Sequence, residues 1–454
     1  MYIPMFDKGF KPAIIELRKF NEKVEASNNF NELVICLERT NQNNYIYKMN
    51  IFKDGTGHDE ENFEFVERIV KSILWIVGGY KIYIAGSKYL VEKLQEAYSD
   101  NGIRAFDYNF MSKVYENKVQ VIGCEYNEIP EAKQELSQMQ NNLSGCRIGF
   151  DAGGSDRKVS AVIDGEVVFS DEVVWFPKLN EYPQYQYDGV LDSIKTAASY
   201  LPRVDSIGVS SAGITIDNKM MVASLFIKVP EEKYEKAKNI YIDIAKEYGD
   251  VPLVVANDGD VTALAGALSL EDTKILGIAM GTSEAVGYIN KDGNINGGLS
   301  ELAFVPVDYN EDAMVDEWSG DYGCGVKYFS QDGVIKLAGF AGIELDESLS
   351  PAEKLKVVQG LMANNDPRAK EIYETIGVYL GYTIPYYAEF YDIKYLLLLG
   401  RVTSGDGGLI VVDKANEVLK NEFPHLASMK IMMPDENSRR VGQSIAAASL
   451  PKVK

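Results

Sequence analysis

Two short glycine-containing loops, each directly after an apolar strand, constrain the fold of this chain of 454 residues more than any other feature. The first is Asp151–Ser155, and the second is Gly281–Ser283, which follows a predicted strand at Ile275–Met280. After each loop come further strands, a helix and another strand, with the helices predicted at residues 190–200 and 369–391. Because this order recurs, the sequence predicts two similar α/β lobes.

The composition indicates a globular protein of more than one domain. A chain of 454 residues is too long for a single compact core, so we expect two or three domains. The formal net charge of -21 argues against nucleic-acid and membrane partners, because the average surface repels phosphate backbones and anionic lipid headgroups. The sequence opens without a signal-peptide pattern, and its four cysteines form no CxxC pair. We therefore expect a cytoplasmic protein with reduced thiols.

Residues 1–145 are predicted to form a separate N-terminal α/β domain whose role the sequence does not show. Leu33–Glu38 and Tyr45–Phe52 are predicted as a strand pair, and residues 63–77 carry apolar side chains at helical spacing. The polar run at residues 131–144 places the boundary before a new apolar strand. No glycine loop with the spacing of a phosphate site occurs in this part.

From residue 146 onward, the order of motifs resembles the ROK group of bacterial sugar kinases and transcription regulators, within the actin-like, hexokinase-like ATPase superfamily. Asp151–Ser155 is similar to the DxGGT phosphate motif, Asn257–Asp260 to the NDxN motif with the catalytic Asp, and Gly281–Ser283 to the second loop, normally GTG. Leu396–Gly400 resembles the strand and glycine beneath adenosine, and Gln443–Ala448 resembles the Ala-rich closing helix.

The resemblance implies an α/β fold with two ribonuclease-H-like lobes of the actin-like ATPase type around a cleft, plus the extra N-terminal α/β domain. It places the first lobe at residues 146–265 with the C-terminal helix at 436–454, and the second at residues 266–435. It further implies ATP-dependent phosphorylation of a sugar or sugar-like polyol, with ATP and Mg²⁺ as cofactors. We also expect a homodimer.

The chain departs from the family at the sugar and zinc motifs. Where the family commonly has GExGH, the chain keeps Glu301 and has Phe304 in place of the His. Of the cysteines in the zinc motif that should follow, only Cys324 remains, and both histidines of the chain lie outside this region. A structural zinc needs about four ligands, so we expect no zinc here.

Asp151 ends an apolar strand immediately before Gly153, Gly154 and Ser155. Glycines allow the backbone to turn tightly and bring N–H groups against phosphate oxygens, so this loop is predicted to bind the nucleotide phosphates. Asp151 would hold Mg²⁺ through water, because Mg²⁺ keeps several waters and takes few carboxylates. The alternative is an ordinary hairpin with Asp-Gly-Gly as turn residues.

Asp258 lies where a buried strand meets a helix, so its carboxylate fits two roles. As a general base it would accept the proton of the sugar hydroxyl during attack on the γ-phosphate, and otherwise it would cap the helix. Asn257 and Glu301 would hydrogen-bond neighbouring hydroxyls of the acceptor. Asp260, in place of the second Asn of the motif, is predicted to tune Asp258 or to cap the helix.

The remaining candidates concern nucleotide and sugar contacts. Gly281 with the hydroxyls of Thr282 and Ser283 suits the transferring phosphates, although a simple turn at a strand end has the same pattern. Gly400 matches the adenosine glycine, but Arg401 replaces a second glycine and would either stack on adenine or block it. Phe304 would contact a sugar face or fill the space of the lost zinc ligand. The remaining candidate is a flexible aromatic loop, which would line the cleft or join a dimer surface; its residues are Tyr182, Tyr185 and Tyr187.

Two other functions stay open at this point. One is a non-catalytic ROK relative that senses a sugar or binds a partner, although residues 1–145 show no DNA-recognition helix. The other is an ATPase of the same superfamily that drives a second protein. Iron-sulfur activators of that kind carry clustered cysteines, whereas those of this chain are scattered.

Overall fold

The computed structural model describes residues 2–134, 143–434 and 436–453, with side chains from residue 442 onward in the last range. The polar run predicted at the first domain boundary therefore lies partly outside the described residues. The described chain forms two compact units. One contains residues 2–134 together with Ile278–Val286 and Gly298–Met433, and the other contains residues 143–277, Gly287–Gly297 and the C-terminal helix. The division into three domains at 145, 265 and 435 stays a prediction.

The N-terminal part of the first unit is a four-stranded sheet with four helices. Strand order is β2-β1-β3-β4, with β1 antiparallel to β2 and β3, and β3 parallel to β4. The strands are β1 (Phe30–Glu38), β2 (Asn44–Phe52), β3 (Lys81–Ala85) and β4 (Gln120–Gly123), and the helices are α1 (Ala13–Ala26), α2 (Asp59–Val77), α3 (Lys88–Ala97) and α4 (Ala105–Tyr115). The α/β character predicted for this part of the chain is confirmed.

The second unit is built on a five-stranded sheet of order β11-β8-β5-β6-β7. Its elements are β5 (Cys146–Ala152), β6 (Asp156–Ile163), β7 (Glu166–Val174), α5 (Pro183–Ala198), β8 (Ser206–Ser211), β9 (Ile214–Ile216), β10 (Lys219–Val222), α6 (Tyr234–Lys238), α7 (Ile240–Glu247), β11 (Leu253–Asn257) and α8 (Asp258–Leu270). Strands β5, β8 and β11 run parallel, so their carboxyl ends share one edge of the sheet. β5, β6 and β7 form the antiparallel meander that the sequence predicts.

The C-terminal helix α13 (Glu436–Ser449) packs on β5 and β8 of the second unit. Two glycines make this approach possible, because a Cβ on Gly149 or on Gly208 would lie 1.7 Å from a carbonyl oxygen of the helix. Ser160 on β6 and Ser444 on the helix join their hydroxyls at 2.7 Å. The small side chains of the Ala-rich segment thus allow the helix to pack closely against the sheet.

A third sheet has the order β13-β12-β14-β15. The elements in this part of the chain are β12 (Ile275–Met280), β13 (Glu284–Ile289), α9 (Gln331–Phe340), α10 (Pro351–Ala363), α11 (Pro367–Tyr387), β14 (Tyr395–Leu399), α12 (Asp406–Glu422) and β15 (Lys430–Met432). Helix α11 packs along α12 and is buried over most of its length. Among the residues described, no helix combines the length and the apolar character needed to cross a bilayer.

The aromatic segment before the first predicted helix differs from the predicted flexible loop. Helix α5 begins at Pro183, so Tyr185 and Tyr187 lie within it and not in a flexible loop. Proline suits the first turn of a helix, because that position needs no N–H donor, and the prediction overlooked this start signal. Only Tyr182 lies outside the helix, where its side chain is exposed.

Candidate functional site

Asp151 lies at the carboxyl edge of the parallel strands, where α/β sheets bind their ligands. Its register partner on β8 is Ser210, whose neighbour on β11 is Ala256, two residues before Asp258. The Ser210 hydroxyl donates a hydrogen bond of 2.8 Å to Oδ1 of Asp151, which is only 5% exposed. The topology therefore brings the two predicted acidic residues to one edge of a single sheet.

The predicted phosphate loop turns tightly between β5 and β6. A Cβ on Gly153 would lie 2.7 Å from the carbonyl oxygen of Asp156, so only glycine fits there. Trp175 holds the loop from the other side, because its indole N–H donates to the Gly153 carbonyl at 2.8 Å and its backbone N–H to the Ser155 carbonyl at 3.1 Å. At Gly154, a Cβ would meet only the end of the Lys178 side chain.

The electrostatic environment of Asp151 suits a cation. Burial raises the pKa of Asp151 to about 6; the Ser210 hydroxyl and Lys158 lower it, and the nearby carboxylate of Asp258 raises it further. A bound cation reduces the repulsion between two neighbouring carboxylates. Mg²⁺ binds one or two carboxylates together with waters and substrate phosphates. The donors therefore fit the predicted Mg²⁺, which would be held by Asp151.

The Asp151→Asn protein is expected to be more stable than the wild type at pH 8 and equally stable near pH 4. A pKa raised from 3.8 to about 6 means that the folded state binds the proton more tightly, so stability falls as pH rises through this window. The ionised, buried carboxylate then costs about 3 kcal/mol above pH 6. Urea unfolding at both pH values measures the difference.

Asp205→Asn is the control of opposite sign for this prediction. Its carboxylate accepts bonds from Arg203 and from the backbone N–H of Cys146, which lower the pKa of Asp205. Such a group stabilises the fold above its unfolded pKa, so the Asn variant should be less stable at pH 8. An Asp151→Asn protein less stable than the wild type at pH 8 would contradict the raised pKa of Asp151.

Asp258 is the first residue of α8, and the helix is capped by its neighbour. Oδ1 of Asn257 accepts the Gly259 N–H at 2.7 Å, and its amide donates to the Gly213 carbonyl at 2.8 Å. The capping role considered for Asp258 is therefore filled by Asn257. Asp258 keeps partial exposure, while burial of its carboxylate raises its pKa and the Gly259 N–H partly offsets this. A carboxylate with a raised pKa suits a general base.

The start of α8 is also fixed from β13. Asp260 is buried, and its Oδ1 accepts the backbone N–H of Tyr288 at 3.1 Å. A Cβ on Gly287 would lie 2.1 Å from the carbonyl oxygen of Gly259, so β13 touches the first turn of the helix. Asp260 thus joins the helix to a strand. This differs from both roles predicted for it, which were to tune Asp258 and to cap the helix. The first turn that carries Asp258 is held rigidly.

In the other unit, the structure brings the Gly281 and Gly400 segments together. Gly400 has φ of 96°, and a Cβ there would lie 2.2 Å from the carbonyl oxygen of Met280, so glycine is required. The same carbonyl accepts the backbone N–H of Val402. Beyond Met280, the Gly281 N–H donates to the Ser283 carbonyl at 2.9 Å. Thr282 and Ser283 are exposed, so their hydroxyls are available to a ligand.

A cavity of about 280 Å³ lies beside Arg401. Its wall combines apolar side chains from α10 with polar ones: Ala352, Leu355, Lys356, Gln359, Arg401 and Ser404. The amide of Gln359 donates to the Arg401 carbonyl at 2.7 Å and fixes this backbone. Arg401 is exposed and forms part of the wall without filling the space. Arg401 was predicted either to stack on adenine or to block it, and the open space of the cavity favours stacking beside a planar ligand.

The backbone at Glu301 is fixed by the C-terminal end of α2. The carbonyl of Ile76 accepts the N–H of Ser300 at 2.9 Å, and that of Trp75 accepts the N–H of Glu301 at 3.0 Å. The last carbonyls of a helix lack partners within it, so these bonds satisfy them. The N-terminal part of the chain therefore positions a predicted sugar-binding residue.

Glu284 is a candidate that the sequence analysis missed. It is 3% exposed, and its Oε2 has no hydrogen-bond partner among the described residues. Burial raises the pKa of Glu284 to about 8; the Tyr387 hydroxyl lowers it, and the carboxylate of Glu301 raises it. Glu284 is thus largely protonated at pH 7. The available signal was a charged residue next to Gly281–Ser283, at the first position of a buried strand.

Phe304 lies in an aromatic cluster. Its ring stacks on Trp75 with a centroid distance of 4.1 Å, and Phe106 and Phe110 flank it at 5.8 and 6.5 Å. The ring face that Trp75 covers is closed to a sugar, which favours the space-filling alternative. Phe304 keeps partial exposure, so its contact with a sugar stays a prediction.

The segment that resembles the zinc motif is held by ion pairs. Glu317 pairs with Lys327 at 2.5 Å, and the Ser319 hydroxyl donates to Asp316 at 2.7 Å. Cys324 is buried with its sulfur 3.9 Å from the amino group of Lys71. Across the described part of the chain, no three or more His, Cys, Asp or Glu side chains converge as a metal site. The absence of zinc stays a prediction.

Comparison with known proteins identifies the fold. No family model matches the sequence, and no curated protein sequence matches it. Among solved structures, the ROK hexokinase from Thermus thermophilus is 15% identical, with a TM-score of 0.53 over 67% of this chain and 97% of the hexokinase. A ROK-family transcriptional regulator, a homologue of the E. coli MLC protein, is 18% identical, with the same TM-score over 68% of this chain and 80% of the regulator.

These similarities show the fold and nothing finer. The chain has a mixed α/β fold of the ROK and actin-like ATPase kind, and the predicted fold class is confirmed in this respect. The matched share corresponds to about two thirds of the chain, as the resemblance of the motifs implies.

Proposed function

We propose that this chain, which has the fold of ROK-family sugar kinases, transfers the γ-phosphoryl group of ATP to a hydroxyl of a sugar or sugar-like polyol. The observation that carries this proposal is the meeting of Asp151 and Asp258 at the carboxyl edge of β5, β8 and β11. Their electrostatic interaction and raised pKa values are the properties expected of a cation-binding carboxylate beside a general base.

The phosphate groups are assigned to two loops. Gly153, Gly154 and Ser155 offer backbone N–H groups, and Gly281, Thr282 and Ser283 offer backbone N–H groups and exposed hydroxyls. Asp151 would hold Mg²⁺, and the ion would supply positive charge to the transferring phosphate. Arg401, which follows Gly400 in the chain, borders the cavity assigned to adenine, where its guanidinium stacks on the base.

Asp258 acts as the general base. As the acceptor oxygen attacks the γ-phosphorus, its proton passes to the Asp258 carboxylate, the bond from the γ-phosphorus to the bridging oxygen breaks, and ADP leaves. Asn257 fixes the turn that carries Asp258 and offers the acceptor the second N–H of its amide, since the first binds the Gly213 carbonyl. Glu301 accepts from another hydroxyl. Phe304 contributes its exposed edge.

A coupled ADP-release assay over hexoses, amino sugars and polyols tests the proposal. We expect at least one acceptor to raise ADP release above the acceptor-free rate, and chelation of Mg²⁺ to abolish it. ADP release that no acceptor changes would favour an ATPase that drives another protein. If no nucleotide turnover occurs with any acceptor, the kinase assignment fails.

A second candidate is a sugar-sensing or partner-binding protein without turnover. It is favoured by the regulator, which has the same fold at the same TM-score as the hexokinase. Calorimetry separates the two: a sugar that binds tightly in the presence of Mg-ATP without ADP release supports this second candidate. A cytoplasmic location and a homodimer stay predictions.

A further inference from the structure

A short segment after β7 is fastened over the predicted phosphate loop. It comprises Trp175–Asn180 and includes a 3-10 turn at Pro177–Leu179. Trp175 donates two hydrogen bonds to the carbonyls of Gly153 and Ser155, as described above. The segment therefore follows the loop closely, although the resemblance to ROK kinases assigns no function to it.

Two buried or half-buried side chains of α5 fix the backbone of this segment. Gln186, which is fully buried, donates its amide to the Pro177 carbonyl at 2.9 Å. The hydroxyl of Tyr185 accepts the Phe176 N–H at 2.9 Å. The backbone on both sides of Pro177 is thus held by the helix, and the next residue, Lys178, starts from a fixed position.

The Lys178 side chain ends directly over Gly154. Its Nζ and Cε both lie 3.1 Å from the position that a Cβ on Gly154 would occupy. The side chain is exposed, and no hydrogen bond or ion pair engages its amino group among the described residues. The other lysine near the loop is already paired, because Lys158 contacts Asp156 at 2.8 Å. Among the described residues, Lys178 therefore offers this loop an amino group that no hydrogen bond or ion pair engages.

We propose that Lys178 binds a phosphate oxygen of the nucleotide seated on the Asp151–Ser155 loop. This inference rests on the proposed function of the loop and adds a residue to it. The carboxylates of Asp156 and Asp258 interact electrostatically with that of Asp151 at this loop, and together they repel a polyphosphate. A flexible ammonium group that contacts no carboxylate compensates this repulsion and follows the phosphate as it moves.

Calorimetric titration with Mg-ATP, inorganic triphosphate and adenosine tests the inference. In the Lys178→Met protein, we expect affinity for Mg-ATP and triphosphate to fall roughly 10- to 100-fold, the range for a hydrogen bond to a charged group. Adenosine affinity should not change, because it carries no phosphate. Lys178→Arg keeps the charge and should recover most of the loss. Lys195→Met, which removes only an exposed pair with Glu247, is the matched control.

Gly154→Ala provides an independent variant. Apart from its own chain neighbours, the added methyl group meets only the end of Lys178, at 3.1 Å, so it shifts the amino group by a few tenths of an ångström without meeting the rest of the fold. We expect it to weaken triphosphate binding in the same direction as Lys178→Met, and the double variant to be no weaker than Lys178→Met alone.

The outcomes separate this inference from the proposed function. Wild-type binding of triphosphate that Lys178→Met leaves unchanged overturns the inference alone. Binding that weakens in Lys178→Met, in a protein that phosphorylates no acceptor, supports the inference and overturns the kinase assignment. A wild-type protein that binds neither Mg-ATP nor triphosphate overturns both.

Discussion

The Asp258→Asn protein should bind Mg-ATP and acceptor with nearly wild-type affinity, and it should lose phosphate transfer roughly 10²- to 10⁴-fold. The amide has the shape of the carboxylate but cannot take the proton from the attacking hydroxyl. The local fold should persist, because Asn257 and not Asp258 caps α8, and Asp260 separately ties the first turn to Tyr288. Steady-state ADP release and calorimetry measure the two quantities.

Asp243→Asn is the matched control for this variant. It makes the same chemical change on α7 and removes only an exposed pair with Lys246. The control should transfer phosphate at the wild-type rate. If Asp258→Asn retains more than about a tenth of the activity, Asp258 is not the base. If it loses nucleotide binding as well, the residue holds the metal and phosphate together with Asp151.

The acidic edge could be predicted from sequence because its residues follow strands. The sequence shows that Asp151 and Asp258 each end or follow an apolar strand, and the parallel register of β5, β8 and β11 in the structure brings these positions to one edge. The sequence could not decide which side chain caps α8. Asn and Asp cap almost equally well, so the choice depended on the backbone at Asn257.

Residues that act through tertiary packing escaped prediction. Lys178 lies 24 residues after Gly154, and bonds from Trp175, Tyr185 and Gln186 hold its segment over the loop. Glu284 is charged in sequence but is buried at the start of β13, and burial makes it largely neutral at pH 7. In both cases the informative contacts come from distant segments, which local patterns do not encode.

The N-terminal part meets the segment that resembles the zinc motif through a buried ionic cluster. Asp321, on that segment, accepts hydrogen bonds from Arg68 at 2.6 Å and from Lys71 at 2.5 Å, and it forms an ion pair with Arg104 at 2.9 Å. Glu67 and Asp107 complete the cluster, so three cations face three carboxylates. Burial opposes ionisation of Asp321, but the three cations together hold its pKa well below the usual range.

Replacement of Asp321 by Asn should lower the free energy of unfolding by about 3–5 kcal/mol, because it leaves the three buried cations facing only two carboxylates. The ionised carboxylate stabilises the fold above its unfolded pKa and stops doing so only in strong acid, so the full effect should appear at pH 7. Urea unfolding followed by tryptophan fluorescence measures it. Glu317→Gln removes an exposed carboxylate whose partner, the buried Lys327, keeps its ion pair with Asp332, and it should cost less than about 1 kcal/mol.

The Asp321→Asn protein should also show a larger increase in the KM for the acceptor than in the KM for ATP. Arg68 and Lys71 belong to α2, whose last carbonyls hold the backbone of Ser300 and Glu301. Release of the helix from Asp321 therefore disturbs a residue assigned to the acceptor, while the Gly281 and Gly400 contacts remain. An Asp321→Asn protein as stable as Glu317→Gln would show that the cluster does not anchor the N-terminal part. Equal changes in both KM values would show that the cluster around Asp321 does not act specifically on acceptor binding.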